Sequence, residues 1–156
     1  MLMAEKTRGR TDWLGLVSFA FFLIAVGAVF ATVPGLATKV AEFFQSIRTA
    51  DVYPGITFVA PTGNQSAIYG AAYTFSLIFG ISQVIVLAAR FLIRDTAGRK
   101  AETLTGITFW FGAAYGFSSL AAGSLDWFVF LGWIVVLIGI SITIRSAVAF
   151  ATRRKG

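Results

Sequence analysis

The side chains that could carry chemistry in this chain are few, because its 156 residues include no His and no Cys. A serine triad therefore lacks its imidazole base. Neither a thiolate nucleophile nor a His or Cys ligand for haem, zinc or an iron–sulfur cluster is available. The glycine patterns that bind phosphates and dinucleotides are absent from the sequence as well. We therefore predict a protein that is not an enzyme, with no catalytic residue, no metal site and no cofactor.

The polar side chains that lie inside long apolar stretches are uncharged. Gln83 and Ser82 lie in the second of these stretches and Thr143 in the fourth. Such groups form hydrogen bonds between membrane helices, and they can also line an uncharged pathway. Bonding between helices is the favoured interpretation of Gln83. A membrane enzyme that uses Glu102, Asp126 and tyrosines at the interface is a third alternative.

The composition indicates a membrane protein. Hydrophobic residues make up 57% of the chain and charged residues 13%, which leaves more apolar surface than one soluble core of this size can bury. Lipid must cover the excess. A net charge of +6 would by itself suggest nucleic acid, but basic residues that flank apolar stretches are better explained by membrane orientation. We expect no nucleic-acid partner.

Four apolar stretches are long enough to cross a bilayer as helices, which takes about 20 residues. They cover residues 13–33, 68–89, 104–122 and 127–144. The predicted fold is an all-α integral membrane protein with four transmembrane helices, in which residues 1–156 form a single membrane domain. A secretory signal peptide is the alternative interpretation of the first stretch, but the stretch is long for one and has no clear cleavage pattern.

The basic residues predict the orientation, because Lys and Arg accumulate on the cytoplasmic side of a membrane protein. Three lie in the N-terminal arm, four in residues 90–100 and four in the basic tail 145–156, whereas the remaining connections hold only Lys39 and Arg48. Both termini and a polar hairpin at residues 95–103 are therefore expected in the cytoplasm. The long connection at residues 34–66 and the turn at residues 123–126 are expected outside.

The outer connection contains an amphipathic segment, Leu36–Arg48, whose apolar residues recur at helical spacing. It predicts a short helix in the membrane interface. The residues expected to dock a partner are Val40, Phe43, Phe44 and Ile47. The apolar run Ile56–Ala60 is too short to span the bilayer and is predicted to be an extended piece or a cap over the helices. Asn64 fits a glycosylation sequon, but capping of the following helix is the favoured interpretation.

Small residues predict close packing of the helices. Gly112 and Gly116 form a GxxxG pair in the third stretch, Ser119 extends this small-residue surface, and Gly70 is the corresponding glycine in the second stretch. The segments GAAYTFS at residues 70–76 and GAAYGFS at residues 112–118 are identical at six of seven positions. Close-packed antiparallel helices are the favoured explanation, and an ancient duplication is the alternative.

The function that these features favour is a non-catalytic accessory or scaffolding subunit of a larger membrane assembly, such as a respiratory or oxidase-type complex. Its partners would be other integral membrane subunits and membrane lipids, in a multi-pass arrangement in the cell membrane. The alternative is a small homo-oligomeric channel or transporter, with a pathway lined by Gln83, Ser82 and Thr143. Co-purification from mild detergent would separate the two, since distinct partners favour the first and a pure homo-oligomer the second.

Overall fold

The structure, a computed structural model, describes residues 5–153 of the chain and the side chains of residues 15–148, 150 and 151. Five helices form most of the fold, and a two-stranded antiparallel sheet lies between the second and the third. In chain order the elements are α1 (Glu5–Thr32), α2 (Leu36–Ser46), β1 (Ile47–Tyr53), β2 (Ile56–Pro61), α3 (Ser66–Leu92), α4 (Ala97–Ala121) and α5 (Trp127–Arg153).

Three of the described helices are long and apolar enough to cross a membrane. The qualifying segments are Gly15–Thr32 in α1, Ser66–Leu92 in α3 and Trp127–Val148 in α5. The sequence-based prediction of a helical, membrane-associated protein agrees with this arrangement. Helix α4 has 25 residues, which is enough length to span, but Thr, Gly, Ser and Tyr dilute its apolar character and it does not meet the same criterion.

The long helices pack side by side in the order α1, α3, α4, α5. The most extensive contact joins α3 and α4, α5 packs on the other side of α4, and α1 packs on α3. A tight turn at residues 93–96 makes α3 and α4 antiparallel, and Arg94 adopts a left-handed φ of 53° in this turn. The Asp95 carboxylate stabilises the turn, because it lies 3.7 Å from the Arg90 guanidinium and 3.4 Å from that of Arg99.

The polar segments next to the predicted spans are more helical than the sequence suggests. Most of the expected hairpin at residues 95–103 forms the first two turns of α4, and the expected tail from residue 145 continues α5 to Arg153. Ala, Glu, Lys and Arg favour a helix, and leaving an apolar environment does not itself interrupt the backbone hydrogen bonds. Glu102 and Arg145, 3.3 Å apart, form an ion pair between these two extensions.

The outer connection differs from its prediction at Ile47 and Arg48. Helix α2 ends at Ser46, and both residues belong to β1, where Ile47 pairs with Pro61. The Ser46 carbonyl accepts hydrogen bonds from the amide and the hydroxyl of Thr62, which directs the chain into the hairpin. Gly55, with a φ of 84°, supplies the left-handed residue in the turn between the strands. The run Ile56–Ala60 is extended, as one of the two predicted alternatives requires.

Candidate functional site: an outer cap and the crevice beneath it

Helix α2 and the hairpin together form a cap, which we call the outer cap (residues 36–61) after the connection that the sequence predicts to lie outside. Aromatic rings attach it to the helices below: the Phe43 ring lies 6.4 Å from that of Tyr69 on α3 and 6.3 Å from that of Trp127 on α5. The Trp127 indole also donates a hydrogen bond of 3.2 Å to the Val59 carbonyl. An isolated two-stranded hairpin is only marginally stable, so these contacts help to hold the outer cap in place.

The outer cap leaves large apolar side chains uncovered. Phe44 is 66% exposed and Tyr53 is 73% exposed. The other exposed apolar side chains of the cap are Val52, Ile56, Phe58 and Val59. An apolar patch of this kind on an element outside the long helices is typical of a surface that contacts a protein or a membrane interface.

The four residues predicted to dock a partner do not share one face. Phe43 points into the aromatic contacts that attach the cap, whereas Phe44 points away from them. Val40 lies over the crevice described below, and Ile47 is a half-buried strand residue. The helical spacing of the sequence could not reveal this division, because it depends on where Tyr69 and Trp127 lie in the fold.

Beneath α2 is an open crevice of about 390 Å³ between α1, α2, α3 and α4. It was not expected from the sequence. It exists because the small side chains of Ala71 and Ala72 on α3 do not fill the space between the larger residues of the neighbouring helices. Side chains from all four helices line it, among them Val26, Phe30, Val40, Phe75, Trp110 and Phe117. The one polar residue of the lining is Ser76, and its hydroxyl has no hydrogen-bond partner in the described part of the chain.

The GxxxG pair lies in the interface between α4 and α5. A Cβ added at Gly112 would collide with the end of the Leu137 side chain, 2.9 Å from its Cδ1, and one added at Gly116 would lie 2.9 Å from Cε2 of Phe130. The Trp133 indole donates a 2.9 Å hydrogen bond to the Gly112 carbonyl. Because neither glycine has a side chain, α4 and α5 can approach each other this closely.

The other two predicted packing residues have different surroundings. A Cβ at Gly70 would meet nothing within 4 Å in the described chain. The Ser119 carbonyl accepts hydrogen bonds from the amides of Ser124 and Leu125, at the end of α4. The structure therefore brings Gly112 and Gly116 to one interface and leaves Gly70, on α3, outside it. The packing role of Ser119 stays a prediction.

The two related heptapeptides lie opposite each other. Gln83 faces Gly106 and the Phe79 ring lies 5.0 Å from that of Trp110, which fixes the antiparallel register of α3 and α4. Continued along the helices, this register places residues 70–76 across from residues 112–118. Gly112 and Gly116 pack against α5 rather than α3, and Gly70 has no close neighbour in the described chain, so close packing stays a prediction as the explanation of the repeat.

The three polar intramembrane residues do not converge. The Ser82 hydroxyl donates to the Phe79 carbonyl and the Thr143 hydroxyl to the Gly139 carbonyl, each within its own helix. The Gln83 amide oxygen would lie 3.8 Å from a Cβ on Gly106, yet its side chain makes no hydrogen bond to any described residue. Within the described residues Gln83 therefore forms no hydrogen bond between helices, and the bonding expected of it stays a prediction.

The acidic residues are also dispersed. Within the described residues there is no group of three or more acidic side chains placed to hold a metal ion. The features that could recognise another molecule are therefore the apolar patch of the outer cap and the crevice. Comparisons of the chain with protein-family models, with curated proteins and with solved structures found no match.

Proposed function

We propose that the protein has four transmembrane helices, with both termini in the cytoplasm, and serves as a non-catalytic accessory subunit of a larger membrane assembly. The packing of α4 supports the fourth span. Helix α4 runs antiparallel between α3 and α5, so that it occupies the same depth as two helices apolar enough to span. Its Thr103 and Thr108 hydroxyls bond to carbonyls one turn earlier, which lowers the cost of placing them in lipid.

The distribution of basic residues supports the orientation. Arg90, Arg99, Lys100 and Arg145 lie at the end of the helices that carries the α3–α4 turn. Lys39 and Arg48 belong to the outer cap at the opposite end. The excess at the turn favours its cytoplasmic location, since positive charge near the ends of spans is retained on that side.

The observation that carries the functional proposal is the apolar patch of the outer cap. The cap is held to the helices through Phe43, so its exposed side chains Phe44, Tyr53 and Ile56 are not needed to attach it. Burial against a second protein would stabilise the complex by about 2 kcal/mol for each large apolar side chain. We infer that this patch docks another integral membrane subunit.

The homo-oligomeric channel has less support. A pathway between copies needs polar side chains on an outer surface, and Thr143, the exposed member of the predicted set, directs its hydroxyl to its own helix. Ser82 is buried within the chain. Both hydroxyls donate within their own helices, which leaves the Gln83 amide as the member of the set that makes no hydrogen bond to a described residue.

Site-specific crosslinking tests the docking surface. A photoreactive amino acid at position 44 should crosslink to one distinct membrane protein that also co-purifies in mild detergent. The same group at position 150, an equally exposed phenylalanine near the opposite end of the chain, is the matched control and should not.

Substitution supplies the second part of the test. The triple variant Phe44→Ser, Tyr53→Ser, Ile56→Ser should lose the partner while the helices remain inserted, and Phe150→Ser should retain it. Retention of the partner by the triple variant would show that the outer cap is not the docking surface. Purification of the chain as a pure homo-oligomer that conducts ions in liposomes would replace the proposal with the channel.

A further inference from the structure

We propose that the crevice binds one acyl chain of an outer-leaflet phospholipid, whose phosphate pairs with Lys39. The inference rests on the outward placement of α2 that the proposed function includes, but not on the presence of a protein partner. It assigns a ligand to the crevice, which shares only Val40 with the residues predicted to dock a partner.

The position of the crevice corresponds to the outer half of the bilayer. Its mouth lies at Val40 on α2, and along α3 its lining runs from Ile68 to Ser76, eight residues further. At 1.5 Å per residue that depth is about 12 Å, close to half of the ~30 Å hydrocarbon thickness. A chain that entered at the interface would therefore end near the middle of the membrane, as a phospholipid chain of that leaflet does.

The width of the crevice suits a single hydrocarbon chain. A volume of about 390 Å³ spread over about 12 Å gives a mean cross-section of roughly 33 Å², or about 6 Å across. Carbon atoms in contact are about 4 Å apart, so one chain fits this width. A helix from another subunit needs a diameter of about 10 Å and does not fit.

The lining also favours hydrocarbon over a polar ligand. Apart from Ser76, the residues around the crevice are apolar, and aromatic rings from Phe75, Trp110 and Phe117 form much of its wall. An unfilled space of this size would deprive the wall of contacts on one side. Its volume lies within the range of about 300–1,000 Å³ that is usual for sites that bind small molecules.

Lys39 supplies a charge at the mouth. It lies three residues after Leu36, which lines the crevice, so these two side chains are on the same side of α2. The residue is half-buried, and no ion pair or hydrogen bond to its ammonium group is found among the described residues. Arg48, the other basic residue of the outer cap, already donates to the carbonyls of Gln45 and Ile47. Lys39 is therefore the cation that remains for a lipid phosphate.

Native mass spectrometry of the full chain tests the proposal. Protein extracted from phosphatidylcholine nanodiscs and washed in detergent should retain one phosphatidylcholine molecule. Ala72→Phe fills the crevice and should lower the retained lipid by about tenfold or more. This factor corresponds to losing the contacts of about two methylene groups. Ala88→Phe adds the same side chain at an exposed position of the same helix and should retain the lipid.

The charge is tested separately. Lys39→Glu should lose the lipid, whereas Lys39→Arg should keep it, and diacylglycerol, which has the chains but no phosphate, should bind much more weakly than phosphatidylcholine. Equal retention of diacylglycerol, or retention of phosphatidylcholine by Lys39→Glu, would overturn the pairing with phosphate. If the wild-type protein retains no lipid, or if Ala72→Phe retains it, the crevice is not the binding site.

Two further measurements keep these outcomes interpretable. Should Ala72→Phe fail to fold, Val40→Phe narrows the exposed mouth without entering the interior, and it too should lose the lipid. The crosslink from position 44 is recorded on the same samples. Loss of lipid with an unchanged crosslink separates this inference from the docking of a partner, so that either can fail alone.

Discussion

Gly116→Ala is the most direct test of the interface between α4 and α5. The added Cβ would lie 2.9 Å from Cε2 and 3.0 Å from Cδ2 of Phe130, and 3.0 Å from Cδ1 of Trp133. Phe130 is buried, so its ring cannot move aside into open space. Either the two helices separate or the rings leave their preferred rotamers, and both responses lower stability.

The size of the effect follows from three contributions. Overpacking of a closed interface costs about 1–3 kcal/mol. A shift of the Trp133 indole would weaken its hydrogen bond to the Gly112 carbonyl, and such a bond contributes about 0.6 kcal/mol in a membrane. Replacing a helical glycine by alanine offsets about 0.5–1 kcal/mol of this loss. We expect the free energy of unfolding to fall by about 2 kcal/mol.

The matched control is Gly70→Ala on α3, where the added Cβ meets nothing within 4 Å in the described chain. It should be neutral or should raise the free energy of unfolding by up to about 1 kcal/mol. Both variants would be unfolded with sodium dodecyl sulfate in mixed micelles and followed by tryptophan fluorescence. Equal stability of the two variants would refute the assignment of Gly116 to a closed helix interface.

Two further predictions concern the ends of the helices. In intact cells a cysteine introduced at Thr62 should react with an impermeant maleimide, and one introduced at Gly98 should not. The chain has no native cysteine that could give a background signal. Labelling at position 98 would contradict the proposed orientation. Asp95→Ala should lower the free energy of unfolding by about 1–3 kcal/mol, because it removes the carboxylate beside the mostly buried Arg90 guanidinium and leaves it only its hydrogen bond to the Arg99 carbonyl among the described residues. Glu102→Ala removes an exposed ion pair and should cost less than about 1 kcal/mol; an equal loss in both variants would show that burial does not decide the effect.

The features that the sequence predicted well are those that depend on neighbouring residues along the chain. The lengths of the apolar stretches predicted where the long helices lie. Helix α5 begins at Trp127, as the tight turn before it indicated. The spacing of Gly112 and Gly116 identified a close helix interface, since two residues one turn apart lie on the same face wherever the helix packs. The capping role predicted for Asn64 is not among them: its side chain accepts a hydrogen bond from the Ser66 amide, but the N-cap residue of α3 is Gln65 and no described side chain caps this helix.

The features that were missed depend on contacts between distant segments. Ile47 continues the helical apolar pattern of α2, yet pairing with Pro61 makes it a strand residue. Phe43 and Phe44 are chemically identical, and only the positions of Tyr69 and Trp127 decide which of them is covered. The crevice is a gap between four helices, so no single stretch of sequence carries a signal for it. Trp110, an aromatic residue well inside a span, was the nearest indication.

The place of α4 between α3 and α5 has a consequence for biogenesis. A segment enters the bilayer from the translocon by itself when the summed transfer free energy of its side chains is favourable, and the Gly, Ser, Thr and Tyr residues of α4 contribute little to that sum. In the four-span arrangement that we propose, α3 is made first and offers α4 one packed side, but the face with Gly112 and Gly116 stays uncovered until α5 emerges. Helices α4 and α5 should therefore enter the membrane as a pair. If translation stalls after α4, the last helix of the nascent chain should not be inserted in the bilayer.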